Sequence, residues 1–216
     1  LSGYDVSIDD LKSFRQLHSK TPGHPEIETP GVEIATGPLG QGVANAVGFA
    51  MAAKSAQNLL GSDIINHKVY CLCGDGDLQE GISYEACALA GKHNLDNLVI
   101  IYDSNEITIE GNTNIAWAED VKVRFEAAGF EVAKIDGHSY DEIEFALKEA
   151  KNKNKPYLII AKTKIAKGAG ELEGSHHAHG APLGAEVIAK AKEAAGFDSN
   201  LSFFIDDDVK FWFNLA

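Results

Sequence analysis

The sequence predicts an α/β fold, a parallel β-sheet flanked by helices, and three observations lead there. Short β-branched runs alternate with longer helical patterns through the middle of the chain. The runs are apolar almost throughout, Leu98-Val99-Ile100-Ile101-Tyr102 being the clearest, as suits strands covered on both faces. Strand–helix–strand order then calls for right-handed crossovers between parallel neighbours.

Taken in order, Ser7 is placed to cap a short helix over Asp9–Leu17. Thr21-Pro22-Gly23-His24-Pro25-Glu26 is too rich in proline for regular structure. Ile34–Ala53 carries no charge, as a membrane span would, but holds Pro38, four glycines, Gln41 and Asn45. A buried helix with a glycine-rich entrance is the better reading, with Val43, Val47, Ala50 and Met51 on one face and Gly61 as its C-cap. Strands are expected at Lys68–Cys73, Leu98–Asp103, Phe130–Ile135 and Tyr157–Thr163. Helices are expected between them at Leu78–His93, Val121–Ala128 and Asp141–Lys151. Cys71 and Cys73 are read as packing residues on alternate faces of the first strand. Lys167–Gly184 has five glycines, three histidines and no periodicity, the marks of a functional or disordered loop. A helix over Ala185–Ala195 follows, and the tail from Gly196 mixes aromatic residues with three consecutive aspartates and reads as a linker.

The chain has 216 residues, 32 acidic against 19 basic, for a formal charge of −13. That balance argues against a nucleic-acid or anionic-membrane surface, which needs a basic stripe. Three cysteines rule out a disulfide framework and fit a reducing cytoplasm. No signal peptide is visible, and the sequon at Asn200-Leu201-Ser202 carries no weight without a secretory context.

Chemistry concentrates in Val69-Tyr-Cys-Leu-Cys-Gly-Asp-Gly-Asp-Leu-Gln-Glu-Gly81, where an apolar strand runs into Gly-Asp-Gly and then a helix. Ligands of open α/β sheets bind at the carboxyl ends of strands, and a helix N-terminus there offers N–H groups to a phosphate. Gly76 lets a phosphate approach the backbone, and Asp75 supplies a hard oxygen for Mg²⁺. A calcium loop starting at Asp75 fails because Glu80 and Ala86 occupy its glycine and glutamate positions. A dinucleotide fingerprint fails because Gly81 comes too late, and no Walker A pattern occurs. A tight turn with a solvated aspartate remains open for Gly-Asp-Gly alone. Asn105 narrows the choice. It follows the next strand and emerges at the same sheet edge as Asp75, so a carboxylate, an amide oxygen and a nearby carbonyl could share one Mg²⁺.

Gly-Asp-Gly followed about 28 residues later by Asn resembles the signature of thiamine-diphosphate enzymes. Five motifs in order narrow the resemblance to the transketolase family: Thr21–Glu26, Thr36-Gly-Pro-Leu-Gly-Gln-Gly42, Gly74–Gly81, Ile107-Thr-Ile-Glu-Gly111 and Gly174-Ser-His-His-Ala-His-Gly-Ala-Pro-Leu183. The family implies the thiamine-diphosphate-binding fold and transfer of a two-carbon ketol unit from a ketose phosphate to an aldose phosphate in the pentose phosphate pathway. Dihydroxyacetone synthase, a variant with formaldehyde as acceptor, shares these motifs. A cofactor-binding subunit of a split enzyme is the other alternative.

The resemblance implies Mg²⁺ ligands at Asp75, the Asn105 side chain and the Ile107 carbonyl, with Ca²⁺ or Mn²⁺ able to substitute. It implies diphosphate contacts from Gly76, Asn105 and His176, an aminopyrimidine loop at Gly37, Pro38 and Leu39, and a subunit-contact acid at Glu80. His24 and His176 take catalytic roles toward the donor sugar, while Asp77 occupies a variable position and Ser104 replaces a first asparagine. Zinc at His176, His177 and His179 is the weaker reading, since no cysteine lies near. His18, His67, His93 and His138 have no motif and are read as surface residues, and the Trp117 segment as core packing. The same resemblance implies a diphosphate-binding domain over 1–196 that lacks its N-terminal part. Residues 197–216 would begin a linker toward a pyrimidine-binding domain. It implies a homodimer whose partner subunit supplies that domain, so this chain would be inert alone. Sugar phosphates are the implied substrates, with no nucleic-acid or membrane partner.

Overall fold

A computed structural model describes residues 1–214, and its elements follow the chain in this order. After α1 (Ile8–Lys12) and α2 (Gln41–Leu60) come β1 (Val69–Gly74), α3 (Asp75–Gln79), α4 (Gly81–Lys92) and β2 (Leu98–Ser104). A short hairpin, β3 (Ile107–Thr108) with β4 (Gly111–Asn112), leads to α5 (Val121–Ala127), β5 (Glu131–Asp136), α6 (Tyr140–Ala150) and β6 (Tyr157–Lys162). The chain ends in α7 (Ala185–Ala194) and α8 (Asp207–Phe213). The four long strands form one sheet in the order β1-β2-β6-β5, every pairing parallel. This is the α/β architecture the alternating pattern predicts.

One face of the sheet is covered throughout, and α6 covers part of the other, where Tyr70 and Leu72 of β1 stay exposed. Leu98, Ile100 and Tyr102 of β2 bury against Val43, Val47 and Ala50 of α2, while Val99 and Ile159 bury against Ala146 and Ala150 of α6. Cys71 and Cys73 join the first of these clusters together, so they share a face and do not alternate. A strand's two-residue period requires that of positions two apart. His138 is half-buried rather than exposed, and its Nε2 accepts the Lys164 N–H at 3.0 Å. The half-buried Trp117 packs against the same cluster as the cysteines.

Three helices differ from expectation. Ser7 caps α1 through a reciprocal pair with Asp10, but α1 stops at Lys12 and not Leu17. Arg15 and His18 take left-handed φ of 62°, and no α1 residue is buried to hold further turns. The single helix expected over Leu78–His93 begins at Asp75 and breaks at Glu80, whose φ of −75° and ψ of 138° are extended. Within the tail read as a linker, Asp206 caps α8 by accepting the Asp208 N–H at 2.9 Å. The last two residues of that tail lie outside the described residues.

Residues 39–187 form one compact unit, and residues 1–38 with the chain from Ile188 on form another. The sheet, α2 to α6 and the hairpin lie in the first. Among the described residues no helix is long and apolar enough to cross a membrane.

Candidate cofactor and metal site

Parallel pairing of β1 with β2 aligns Gly74 with Asp103, so both strands deliver their next residues to the same rim of the sheet. Asp75 leaves β1 there and is 3% exposed. Its carboxylate accepts the Tyr102 hydroxyl at 2.5 Å and the Glu106 N–H at 3.0 Å. Glu106 directly follows Asn105, so the acid and the amide expected to share a cation lie in one hydrogen-bonded group. Asn105 is half-buried; its Oδ1 accepts the Ile107 N–H at 2.9 Å and its Nδ2 donates to Asp103 at 3.3 Å. Asp103 is in turn fixed by the Thr163 hydroxyl.

Among the described residues no cationic side chain pairs with Asp75, Lys162 at this rim being paired with Glu106. Burial pushes the Asp75 carboxyl above the ordinary carboxylate range, opposed by the Tyr102 hydroxyl and the N–H groups of Glu106 and Asn105. The charged neighbour that Asp75 feels is Asp103, a second acid, which adds to the rise. The Asn105 Oδ1 keeps a free lone pair, and the Asp75 carboxylate, with about four lone-pair sites and three donors, keeps one. With the Ile107 carbonyl these are hard oxygen donors of the kind Mg²⁺ and Ca²⁺ take, and a cation would offset the buried charge. The donor set therefore fits a divalent metal. Among the described residues no three His, Cys, Asp and Glu side chains are grouped to hold one, consistent with a set that draws on an amide and a carbonyl.

Glycines shape the approach. A Cβ at Gly76 would meet the Leu39 side chain at 3.2 Å, so Leu39, half exposed, closes over the turn after β1. Gly40 has a φ of 80°, and a Cβ there would meet the Glu80 Cβ and Ile82 Cγ2 at 2.8 Å. Only glycine lets the entrance of α2 pass so close to α4. Glu80 itself is exposed at the break between α3 and α4. That break leaves α3 five residues long, so the phosphate-facing helix expected after Gly-Asp-Gly is a single short turn with little macrodipole behind it.

The remaining expected residues lie elsewhere in the chain. His176 opens a 3₁₀ turn over His176–Ala178 capped by Ser175, and its ring stands 4.1 Å from that of His177. His24, Gly37 and Pro38 belong to the other compact unit, where a Cβ on Gly37 would meet the His24 ring at 3.5 Å.

Two residues of the site escape sequence reasoning. Tyr102 interrupts an aliphatic strand, and a buried phenol usually has a hydroxyl partner, which is the signal that could have found it. Asp77 accepts the Gly40 N–H at 3.0 Å and the Gly74 N–H at 2.9 Å, tying the entrance of α2 to the end of β1.

A family model described as "Transketolase, thiamine diphosphate binding domain" matches residues 1–215. Over 214 residues the chain is 52% identical to "Transketolase 1" of Vibrio parahaemolyticus, an alignment that covers 97% of this chain and 32% of that relative. The crystal structure of transketolase from Campylobacter jejuni superposes with a TM-score of 0.96 at 74% identity, covering 98% of this chain and 34% of that one. Transketolase from Pichia stipitis in complex with sedoheptulose-7-phosphate superposes with a TM-score of 0.95 at 41% identity, covering 99% and 32%. The chain spans about a third of the length of these relatives.

Proposed function

Since this chain belongs to the transketolase family as its thiamine diphosphate binding domain, we propose that it holds the diphosphate end of the cofactor, through a divalent cation, for ketol transfer between sugar phosphates. One observation carries the reading: the buried Asp75 carboxylate is bonded to the backbone immediately after Asn105, with no cationic side chain paired to it among the described residues.

Asp75, Asn105 and the Ile107 carbonyl would hold Mg²⁺, and Gly76 leaves the diphosphate room against the backbone. Thiamine diphosphate, when bound, supplies the nucleophilic carbon that a carbon–carbon cleavage needs. Leu39, with Gly37 and Pro38, would pack beneath the aminopyrimidine, and Glu80 would serve the contact with a second subunit. His24 and His176 would bind the reacting end of the donor sugar and move protons there, an assignment that rests on their family motifs. The sugar-phosphate class is supported by the Pichia stipitis enzyme, whose complex holds sedoheptulose-7-phosphate.

We keep 1–196 as the diphosphate-binding domain and 197–216 as the start of a linker to a pyrimidine-binding domain. That domain, from the partner in a homodimer, would complete the site. The three buried free thiols support a cytoplasmic, reducing location.

Calorimetric titration with thiamine diphosphate and Mg²⁺ tests the reading. Metal-dependent binding is expected in the native chain and lost in Asp75→Ala and in Asn105→Ala; binding unchanged by either substitution overturns the metal assignment. The purified chain is expected to show no ketol transfer, and measurable turnover would refute the need for a partner domain.

A further inference from the structure

Three neighbouring strands, β1, β2 and β6, end at the rim that carries the candidate metal site, and β1 and β2 lead into its expected donors. The third, β6, ends at Lys162, and the next residue extends the ladder by one step: the Thr163 N–H donates to the Ser104 carbonyl at 3.2 Å. The Thr163 hydroxyl then donates to the Asp103 carboxylate. Thr163 is also held from the side of β5. A Cβ on Gly137 would lie 2.5 Å from its methyl carbon, so glycine there leaves the methyl its place. His138 Nε2 accepts the following N–H, that of Lys164, at 3.0 Å.

Asp103 needs such an anchor, because it is exposed and packing does not fix its side chain. Its carboxylate also accepts the Asn105 Nδ2 at 3.3 Å. The other end of the same amide is engaged as well, Oδ1 accepting the Ile107 N–H at 2.9 Å.

These two contacts fix which way round the amide sits. An ionised carboxylate only accepts hydrogen bonds and a backbone N–H only donates, so Asp103 takes the nitrogen end and Ile107 the oxygen end. Turned over, the amide would set its oxygen against a carboxylate and its NH₂ against an N–H. The difference matters because a hard cation is ligated by an amide oxygen and not by the NH₂ group.

We propose that Thr163, acting through Asp103, is a positioning residue for the metal site, holding the Asn105 amide with its oxygen end free to ligate. This deepens the proposed function and rests on Asn105 being a metal ligand.

Thr163→Val removes the hydroxyl and changes no charge, so any Coulombic pull of Asp103 on a cation is left intact. In ¹⁵N-labelled protein without metal, the Asn105 side-chain NH₂ signals should shift in Thr163→Val and return in Thr163→Ser. Calorimetry with thiamine diphosphate should show Mg²⁺ bound about tenfold more weakly in the Val variant and near the native affinity in the Ser variant. Asp103→Ala, at an exposed position, should displace the same NH₂ signals and carries the test if Thr163→Val does not fold. NH₂ signals that stay in place in either folded variant overturn the proposal, even where Mg²⁺ binds more weakly. Native Mg²⁺ affinity in a Thr163→Val protein whose signals have moved overturns it too. A native chain that shows no Mg²⁺-dependent binding overturns the cofactor reading itself, and the positioning role with it.

Discussion

The Tyr102 hydroxyl donates to the Asp75 carboxylate at 2.5 Å, so a side chain near the C-terminal end of β2 fixes the acid that follows the neighbouring β1. This contact both orients the carboxylate and offsets part of the rise that burial imposes on its pKa.

Tyr102→Phe should therefore loosen the metal site without removing a ligand. Loss of a supporting hydrogen bond typically weakens metal affinity by about tenfold or more. Calorimetry of Mg²⁺-dependent cofactor binding should show that drop, larger at lower pH because the freed carboxyl titrates higher. Native affinity at all pH values would show that the hydroxyl does nothing for the acid.

Asp77 holds two main-chain N–H groups, those of Gly40 and Gly74. Asp77→Ala should cost about 2–3 kcal/mol of stability, from two charge-assisted hydrogen bonds lost at a half-buried site. Urea unfolding measures this directly, and a cost below about 0.5 kcal/mol would show that the two loops hold each other without it.

Gly91 and Gly48 make a matched pair. A Cβ on Gly91 would lie 1.6 Å from the Ala128 carbonyl oxygen, main chain that cannot step aside, whereas one on Gly48 meets nothing within 4 Å. Gly91→Ala should destabilise by about 3 kcal/mol or more, and Gly48→Ala, inside α2, should stabilise by about 0.5–1 kcal/mol. Thermal unfolding of the two variants should move in opposite directions.

The thiols report on burial. Desolvation pushes Cys87 up to about 12 and Cys71 up to about 11. A folded pKa raised above that of the unfolded chain gives stability present below about pH 8.5, the ordinary thiol value, and lost as pH rises through 11 to 12. At pH 8 a disulfide reagent should release colour only after urea is added. Rapid reaction of the native protein would place these sulfurs at the surface.

Much of this was legible in the sequence for a physical reason. Strands buried on both faces must be apolar along most of their length, so β2 and β6 stand out to within a residue or two, and the partly exposed β1 and β5 show as shorter apolar runs. That Asp75 and Asn105 come to one rim was legible because they directly follow adjacent parallel strands. What could not be read depended on close approach between distant segments. The helix break at Glu80 follows from α2 crossing at Gly40, and nothing local to Leu78–His93 announces it. β3 and β4 are two residues each, too short for any periodicity. The three aspartates at 206–208 were a readable helix start, a cap followed by two first-turn acids, yet the surrounding aromatic residues obscured it.

The sheet order leaves β1 outermost, laddered on one side alone among the described residues. Asp75, the acid proposed to bind the cation, thus hangs from a rim strand, steadied by Tyr102 and Glu106 from the interior side. Fraying of that rim would carry the carboxylate with it, so deuterium uptake at Tyr70–Gly74 serves as a gauge of how well the metal seat is assembled.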